Sequence, residues 1–128
     1  SGRGAFDTAG KRAAYALYYA PRRFHAVRAM LAALPAHEPP ATVVDLGSGT
    51  GAAGAAWATW AEPHAFVRAV DTHPWAVDET RATLRAFRLA GDVHRGSVTG
   101  APDLSRLAPP GSGLSRTAFV LSYVANEL

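Results

Sequence analysis

Hydrophobic and polar positions divide the chain into a helical opening and an alternation of strands and helices. Residues 8–20 and 22–34 predict two helices separated at Pro21, a residue that breaks helix interiors. In the second helix Phe24, Val27, Leu31 and Leu34 recur at helical spacing and form one apolar stripe. The segment from Pro35 to Pro40 is a linker, because Pro39-Pro40 stops any helix. Residues 42–46 are apolar on both faces, as a central parallel strand should be. An alanine-rich helix over 51–61 follows, with Trp57 and Trp60 one turn apart, and then a strand over 65–70 ending at Asp71. The next helix spans 74–90: Thr72 caps it, Pro74 suits its first turn, and Asp78 and Glu79 favour its amino end. Trp75, Val77, Leu84 and Phe87 supply its apolar surface, and Gly91 ends it. A strand over 92–97, a loop over 98–116 with Pro109-Pro110-Gly111, a strand over 117–122 and a helix opening at 123–128 complete the pattern.

Strands alternating with helices predict an α/β fold with a parallel, doubly wound, Rossmann-like sheet. Residues 1–40 are then a helical extension and linker, and residues 41–128 a Rossmann-like cofactor-binding domain. The sequence stops just past the fourth strand, where such a sheet normally continues, so this domain is expected to be incomplete. The 128 residues are 48% hydrophobic, much of it alanine, which suits one domain with closely packed helices. Cysteine is absent, which excludes disulfides and thiolate metal sites. The five histidines show no metal-ligand spacing, so no metal is expected. No run is apolar enough to span a membrane and none reads as a signal peptide, so a cytoplasmic location is expected. Positive charge gathers at the start: residues 1–34 carry Arg3, Lys11, Arg12, Arg22, Arg23 and Arg28 against Asp7 alone. Such an arm suits an anionic partner, RNA first, or a solvated helical face. Tyr15, Tyr18 and Tyr19 beside Arg22 and Arg23 suit stacking and phosphate contact with RNA; the same spacing also suits a helix-packing seam.

The chemistry is concentrated in Asp45-Leu46-Gly47-Ser48-Gly49-Thr50-Gly51. A strand that turns into a helix through alternate glycines leaves bare backbone facing a ligand. Gly49, Gly51 and Gly54 satisfy the dinucleotide pattern G-x-G-x-x-G, while Gly47, Gly49 and Gly51 give the G-x-G-x-G loop of S-adenosylmethionine enzymes. Asp71 suits the ribose hydroxyls of either cofactor, and a cap for the helix at Pro74 is the plainer alternative. Asp45 favours the methyl donor, because a carboxylate repels a pyrophosphate but attracts a sulfonium and an ammonium. A buried aspartate that only caps the loop is the plainer alternative. The expected cofactor contacts are Asp45, Gly47, Ser48, Gly49, Thr50, Gly51, Asp71, Thr72, Ser97 and Ser122.

Ser122-Tyr123-Val124-Ala125-Asn126-Glu127-Leu128, after Phe119-Val120-Leu121, resembles the post-strand signature of the methyltransferase-like proteins of the mitochondrial small ribosomal subunit and their bacterial homologues. The segment 15–34 resembles that family's amino-terminal helices, and 45–51 its cofactor loop. The resemblance implies a class I S-adenosylmethionine-dependent methyltransferase fold with a helical amino-terminal extension. It implies methyl transfer connected with small-subunit rRNA or ribosome assembly. The family's cysteine cluster for a metal has no counterpart here.

Methyl transfer from a sulfonium needs mainly alignment, with a general base only where the acceptor must lose a proton. Tyr123, Asn126 and Glu127 are the candidate acceptor-side residues: a stacking ring, an amide and a base; the alternatives are Tyr123 packing under the cofactor and Asn126 and Glu127 capping the next helix. Three functions are therefore carried forward: a methyltransferase acting on RNA or a ribosome-linked substrate, a non-catalytic assembly factor retaining the cofactor pocket, and an NAD-dependent oxidoreductase.

Overall fold

The computed structural model describes residues 8–97 and 116–121. Strand β1 (Thr42–Leu46) is followed by α3 (Ala52–Trp60), β2 (Phe66–Asp71), α4 (Pro74–Ala86), β3 (Gly91–Arg95) and β4 (Thr117–Leu121). All four strands are parallel, in the order β3-β2-β1-β4. Chain order runs outward from β1 through β2 to β3, and β4 pairs on the other side. The order thus reverses beside β1, and in open α/β sheets ligands bind outside the carboxyl ends of the strands at such a point. Leu46 stands in register with Val70 and Leu121, so those strand ends are level there.

Side-chain alternation sends Val43, Val67, Ala69 and Val93 into one core with α3 and α4. Val44, Leu46 and Val70 point to the other face, with Phe119 packed against them. Helix α3 buries Ala52, Ala53, Gly54, Ala55, Ala56 and Ala58. Its small side chains allow it to lie close to the sheet on one side and to α2 (Ala20–Ala33) on the other. Arg28 fastens that second contact: it donates to the Ala56 carbonyl at 2.8 Å and to the Thr59 hydroxyl, with its guanidinium 5.0 Å from the Phe24 ring and 5.6 Å from Trp60. Of the expected α2 stripe only Leu31 is buried; Phe24 stacks on Phe87 at 5.3 Å, and Leu34 is exposed.

The helices differ from the sequence expectation at three places. Pro21 does not divide the opening helices: α1 (Ala9–Ala14) runs through a π-helical turn, Tyr15–Tyr19, directly into α2. Tyr19 keeps helical backbone angles, φ −77° and ψ −33°. Proline lacks an N–H and crowds the carbonyl four residues back, and the wider turn before it relieves both conflicts. Helix α4 ends at Ala86, not near Ala90, and Gly91 opens β3. Arg88 turns the chain with φ +56°, its N–H bonds the Arg85 carbonyl, and the Leu89 N–H bonds the Leu84 carbonyl at 2.9 Å. This is a Schellman stop with arginine where glycine is usual, clasped by the contact between Leu84 and Leu89 in the core. Finally, the α4 cap is His73, whose Nδ1 accepts from the Trp75 N–H at 3.1 Å; Thr72 has no capping role.

Candidate cofactor site

Three glycines with left-handed backbone carry the chain from β1 to α3: Gly47 at φ +71°, Gly49 at +58° and Gly51 at +83°. A side chain at each would cost roughly 1–2 kcal/mol in this conformation. Their alternation coils residues 47–51 into a loop at the carboxyl end of β1, beside the reversal in strand order. The fourth glycine, Gly54, serves close packing: a Cβ there would stand 2.8 Å from the Asp45 carboxylate. Both glycine patterns in the sequence therefore have structural reasons.

Asp45 is completely buried and accepts a hydrogen bond from the Gly54 N–H at 3.2 Å. It lies on the α3 side of the sheet, so its negative charge sits beneath the first turn of α3. A helix amino terminus favours an anion, and here the protein supplies that anion itself. The N–H groups of Gly47, Ser48, Gly49 and Gly51 are similarly committed. Those of Gly47 and Ser48 bond the Val70 carbonyl, at 2.8 and 3.1 Å, and that of Gly51 bonds the Ser48 carbonyl at 2.8 Å. The Gly49 N–H donates to Asp71 Oδ2 at 2.9 Å. A loop built to grip pyrophosphate would keep such donors facing the ligand.

Asp71 ends β2 and is buried, its second oxygen accepting from the His73 N–H at 2.9 Å. It thus joins the glycine loop to the entry of α4. A carboxylate offers about four acceptor positions, so two backbone donors leave room for hydroxyls. Thr72 beside it is exposed, and its carbonyl accepts from Arg95. Ser97 lies past the end of β3 and is exposed. Thr50 is buried. Ser122, Tyr123, Asn126 and Glu127 lie outside the described residues, following Leu121 of β4.

Sequence reasoning missed two residues of this assembly. Thr80 is fully buried and donates to the Gly49 carbonyl at 3.1 Å. Its single hydroxyl proton is used there, so the Ser48 hydroxyl, 2.8 Å away, donates to Thr80. One turn on, Thr83 donates to the Thr50 carbonyl at 2.6 Å. The available signal was position: Thr80 interrupts the buried stripe Ala76, Val77, Leu84 of α4, and a buried hydroxyl requires a partner.

The reversal of strand order, the left-handed glycine loop and the acid at the end of β2 define a Rossmann-like cofactor-binding α/β domain. The methyltransferase small domain model matches residues 22–105, well over half of the sequence, and the chain belongs to that family. Its fold resembles that of a protein from Methanococcus maripaludis proposed to be an S-adenosyl-L-methionine-dependent methyltransferase, with 20% identity and a TM-score of 0.53. That match covers 73% of this chain and 42% of the other. It also resembles a SAM-dependent methyltransferase from Geobacter sulfurreducens solved with S-adenosyl-L-homocysteine, with 21% identity, a TM-score of 0.51, and 66% of this chain and 32% of the other covered. This chain therefore spans less than half the length of either. No curated protein matches it. Among the described residues no helix is long and apolar enough to cross a membrane, and no cluster of histidine or acidic residues could hold a metal.

Proposed function

We propose that the chain is the cofactor-binding part of an S-adenosylmethionine-dependent methyltransferase that acts on small-subunit rRNA or a substrate bound to it. The observation that carries the cofactor reading is Asp45, a buried carboxylate at the amino end of α3. Two unit charges about 6 Å apart at an effective dielectric near 20 interact by about 3 kcal/mol. That interaction would oppose a pyrophosphate and favour the ammonium and sulfonium of the methyl donor. The residues present fit that group: bare glycine backbone, a carboxylate beneath it, and Asp71 with acceptor positions left for ribose hydroxyls. When bound, S-adenosylmethionine supplies an electrophilic methyl group on a leaving group that departs neutral. The chain's part is to hold and orient, with the Asp45 and Asp71 carboxylates fixed by backbone N–H groups of Gly54, Gly49 and His73.

The RNA reading is supported by the opening helices. Residues 8–37 carry Lys11, Arg12, Arg22, Arg23 and Arg28 with no acidic residue. Arg28 is committed to α3. Helix α1 buries nothing, and Leu17, Tyr18 and Tyr19 are exposed. Arg22 lies 5.3 Å over the Tyr18 ring and donates to its hydroxyl, a cation and an aromatic face presented together. The resemblance of 122–128 to the ribosome-associated methyltransferase-like proteins points the same way.

Calorimetry tests the cofactor. S-adenosylmethionine should bind, NAD should not, and Asp45→Asn should weaken the methyl donor at least tenfold. Binding of NAD alone would establish the oxidoreductase instead. For RNA, the double change Arg22→Glu and Arg23→Glu should weaken binding of small-subunit rRNA and flatten its salt dependence. If methyl label is not incorporated into subunits by the full protein while cofactor and RNA still bind, the assembly-factor role is correct.

A further inference from the structure

We propose that Thr80 and Thr83 of α4 are positioning residues that preset the glycine loop for the cofactor, an inference that rests on reading this loop as the methyl-donor site. The loop has few means of holding its own shape. Its three left-handed glycines remove side-chain constraints as well as side-chain obstruction. Two of its carbonyls, those of Gly49 and Thr50, are tied not to the neighbouring helix α3 but to hydroxyls of α4. Because Thr80 and Thr83 lie three residues apart on one helix face, they meet successive loop residues.

The arrangement is directional. Ser48 donates to Thr80 and Thr80 donates to Gly49, which closes a relay from one loop residue to the next through a side chain that is completely buried. The Thr80 methyl group fills the space opposite the missing side chain of Gly51: a Cβ there would lie 3.0 Å from Thr80 Cγ2. Thr80 therefore fixes the loop twice, by hydrogen bonds at Ser48 and Gly49 and by contact at Gly51. This gives Ser48 a different role from the one its position suggests. Its hydroxyl proton is directed at Thr80, so the residue shapes the loop from within. The loop is fastened on its other side by Asp71, through the Gly49 N–H. Residue Gly49 is consequently held at both its N–H and its carbonyl, by groups from two different elements. A loop held this way meets its ligand already ordered, and less conformational freedom is lost on binding.

The test uses Thr80→Val, which keeps the branched shape and removes the hydroxyl, Thr80→Ser, which keeps the hydroxyl, and Thr83→Val. Two readouts are taken on the full chain: amide hydrogen exchange of residues 47–51 without ligand, and calorimetric titration with S-adenosyl-L-homocysteine. In Thr80→Val the Gly51 amide should exchange at least tenfold faster while the amides of β2 keep their protection, and the ligand's Kd should rise at least tenfold. Thr80→Ser should restore both to within about threefold, and Thr83→Val should raise Kd about three- to tenfold. Unchanged loop exchange in both valine variants overturns the proposal, as does faster exchange with unaltered affinity. If the wild-type protein does not bind the ligand, the cofactor reading fails, and with it the claim that the loop is preset for that cofactor. Exchange then reports only whether the threonines order the loop. Should Thr80→Val not fold, Thr83→Val and Thr80→Ser decide the matter on the same readouts.

Discussion

Replacing Gly54 by alanine sets two effects of opposite sign against each other, and the structure says which prevails. Alanine in a helix interior is favoured over glycine by about 1 kcal/mol. Its Cβ, however, would lie 2.8 Å from Asp45 Oδ2, 3.3 Å from Asp45 Cβ and 3.4 Å from Asp45 Cγ. Asp45 is wholly buried within a central strand and has nowhere to retreat, so α3 must lift from β1. Forcing an extra carbon into a packed core typically costs about 1–3 kcal/mol. Lifting α3 also stretches the bond from the Gly54 N–H to the carboxylate, and hydrogen bonds to charged groups contribute about 1.5–3 kcal/mol. The net expectation is a loss of about 2 kcal/mol. With a urea slope of about 1–3 kcal/mol per molar, the midpoint should fall by roughly 1 M. Circular dichroism and the fluorescence of Trp57, Trp60 and Trp75 would both follow the transition. In an Asp45→Ala background the same change should be neutral or stabilising, because the obstructing oxygen is gone; the double-mutant cycle isolates that coupling. A Gly54→Ala midpoint equal to or above that of the wild type would refute the reasoning.

Arg88 adopts φ +56°, where glycine is relaxed and arginine is not, so Arg88→Gly should raise stability by about 1 kcal/mol, seen as a higher urea midpoint. Gly51→Ala combines φ +83° with the Thr80 contact and should abolish cofactor binding in calorimetry while β2 and β3 keep their exchange protection. On the second face of the sheet Arg68 holds Asp92 with two bonds, at 2.9 and 2.8 Å, and His94 adds a third at 3.2 Å. Burial pushes the Asp92 carboxyl up, but the Arg68 hydrogen bond and charge, with His94, outweigh it and hold the group below its ordinary 3.8. The folded state thus favours the ionised form. That stabilisation is complete above pH about 4 and is lost as pH falls through the lower folded value. Urea midpoints measured from pH 7 down to 2 should therefore fall more gently in Asp92→Asn, from a lower starting point at pH 7.

The repeating order of strands and helices, the glycine loop, and the acids at 45 and 71 were all legible in the sequence, because each depends on local chemistry. An apolar run too short for a helix must be a strand, alternate glycines must form a turn, and proline and glycine punctuate. Boundaries were less secure where one local rule met another. Pro21 ends an α-helix by its own chemistry, yet the π turn ahead of it removes the conflict and the helix continues. Gly91 looked like the helix stop, yet Arg88 turns the chain three residues earlier because Leu89 gains a core site by doing so.

Residues distant in sequence come to share work only through packing. Asp45 is an acid beside a glycine loop in the sequence; only the packing of α3 on β1 directs its carboxylate to the Gly54 N–H nine residues on. Thr80 and Thr83 are unremarked helix threonines until α4 is laid beside the loop, where their hydroxyls reach carbonyls more than thirty residues away. Arg28 belongs to a basic arm by count and to α3 by contact. The order of strands and helices and the glycine loop can be read along the chain, since both follow from local backbone freedom and patterning. The choice of partner for each buried polar group was left to the fold, because such a group takes whichever donor or acceptor the packing of helices on the sheet brings within 3 Å.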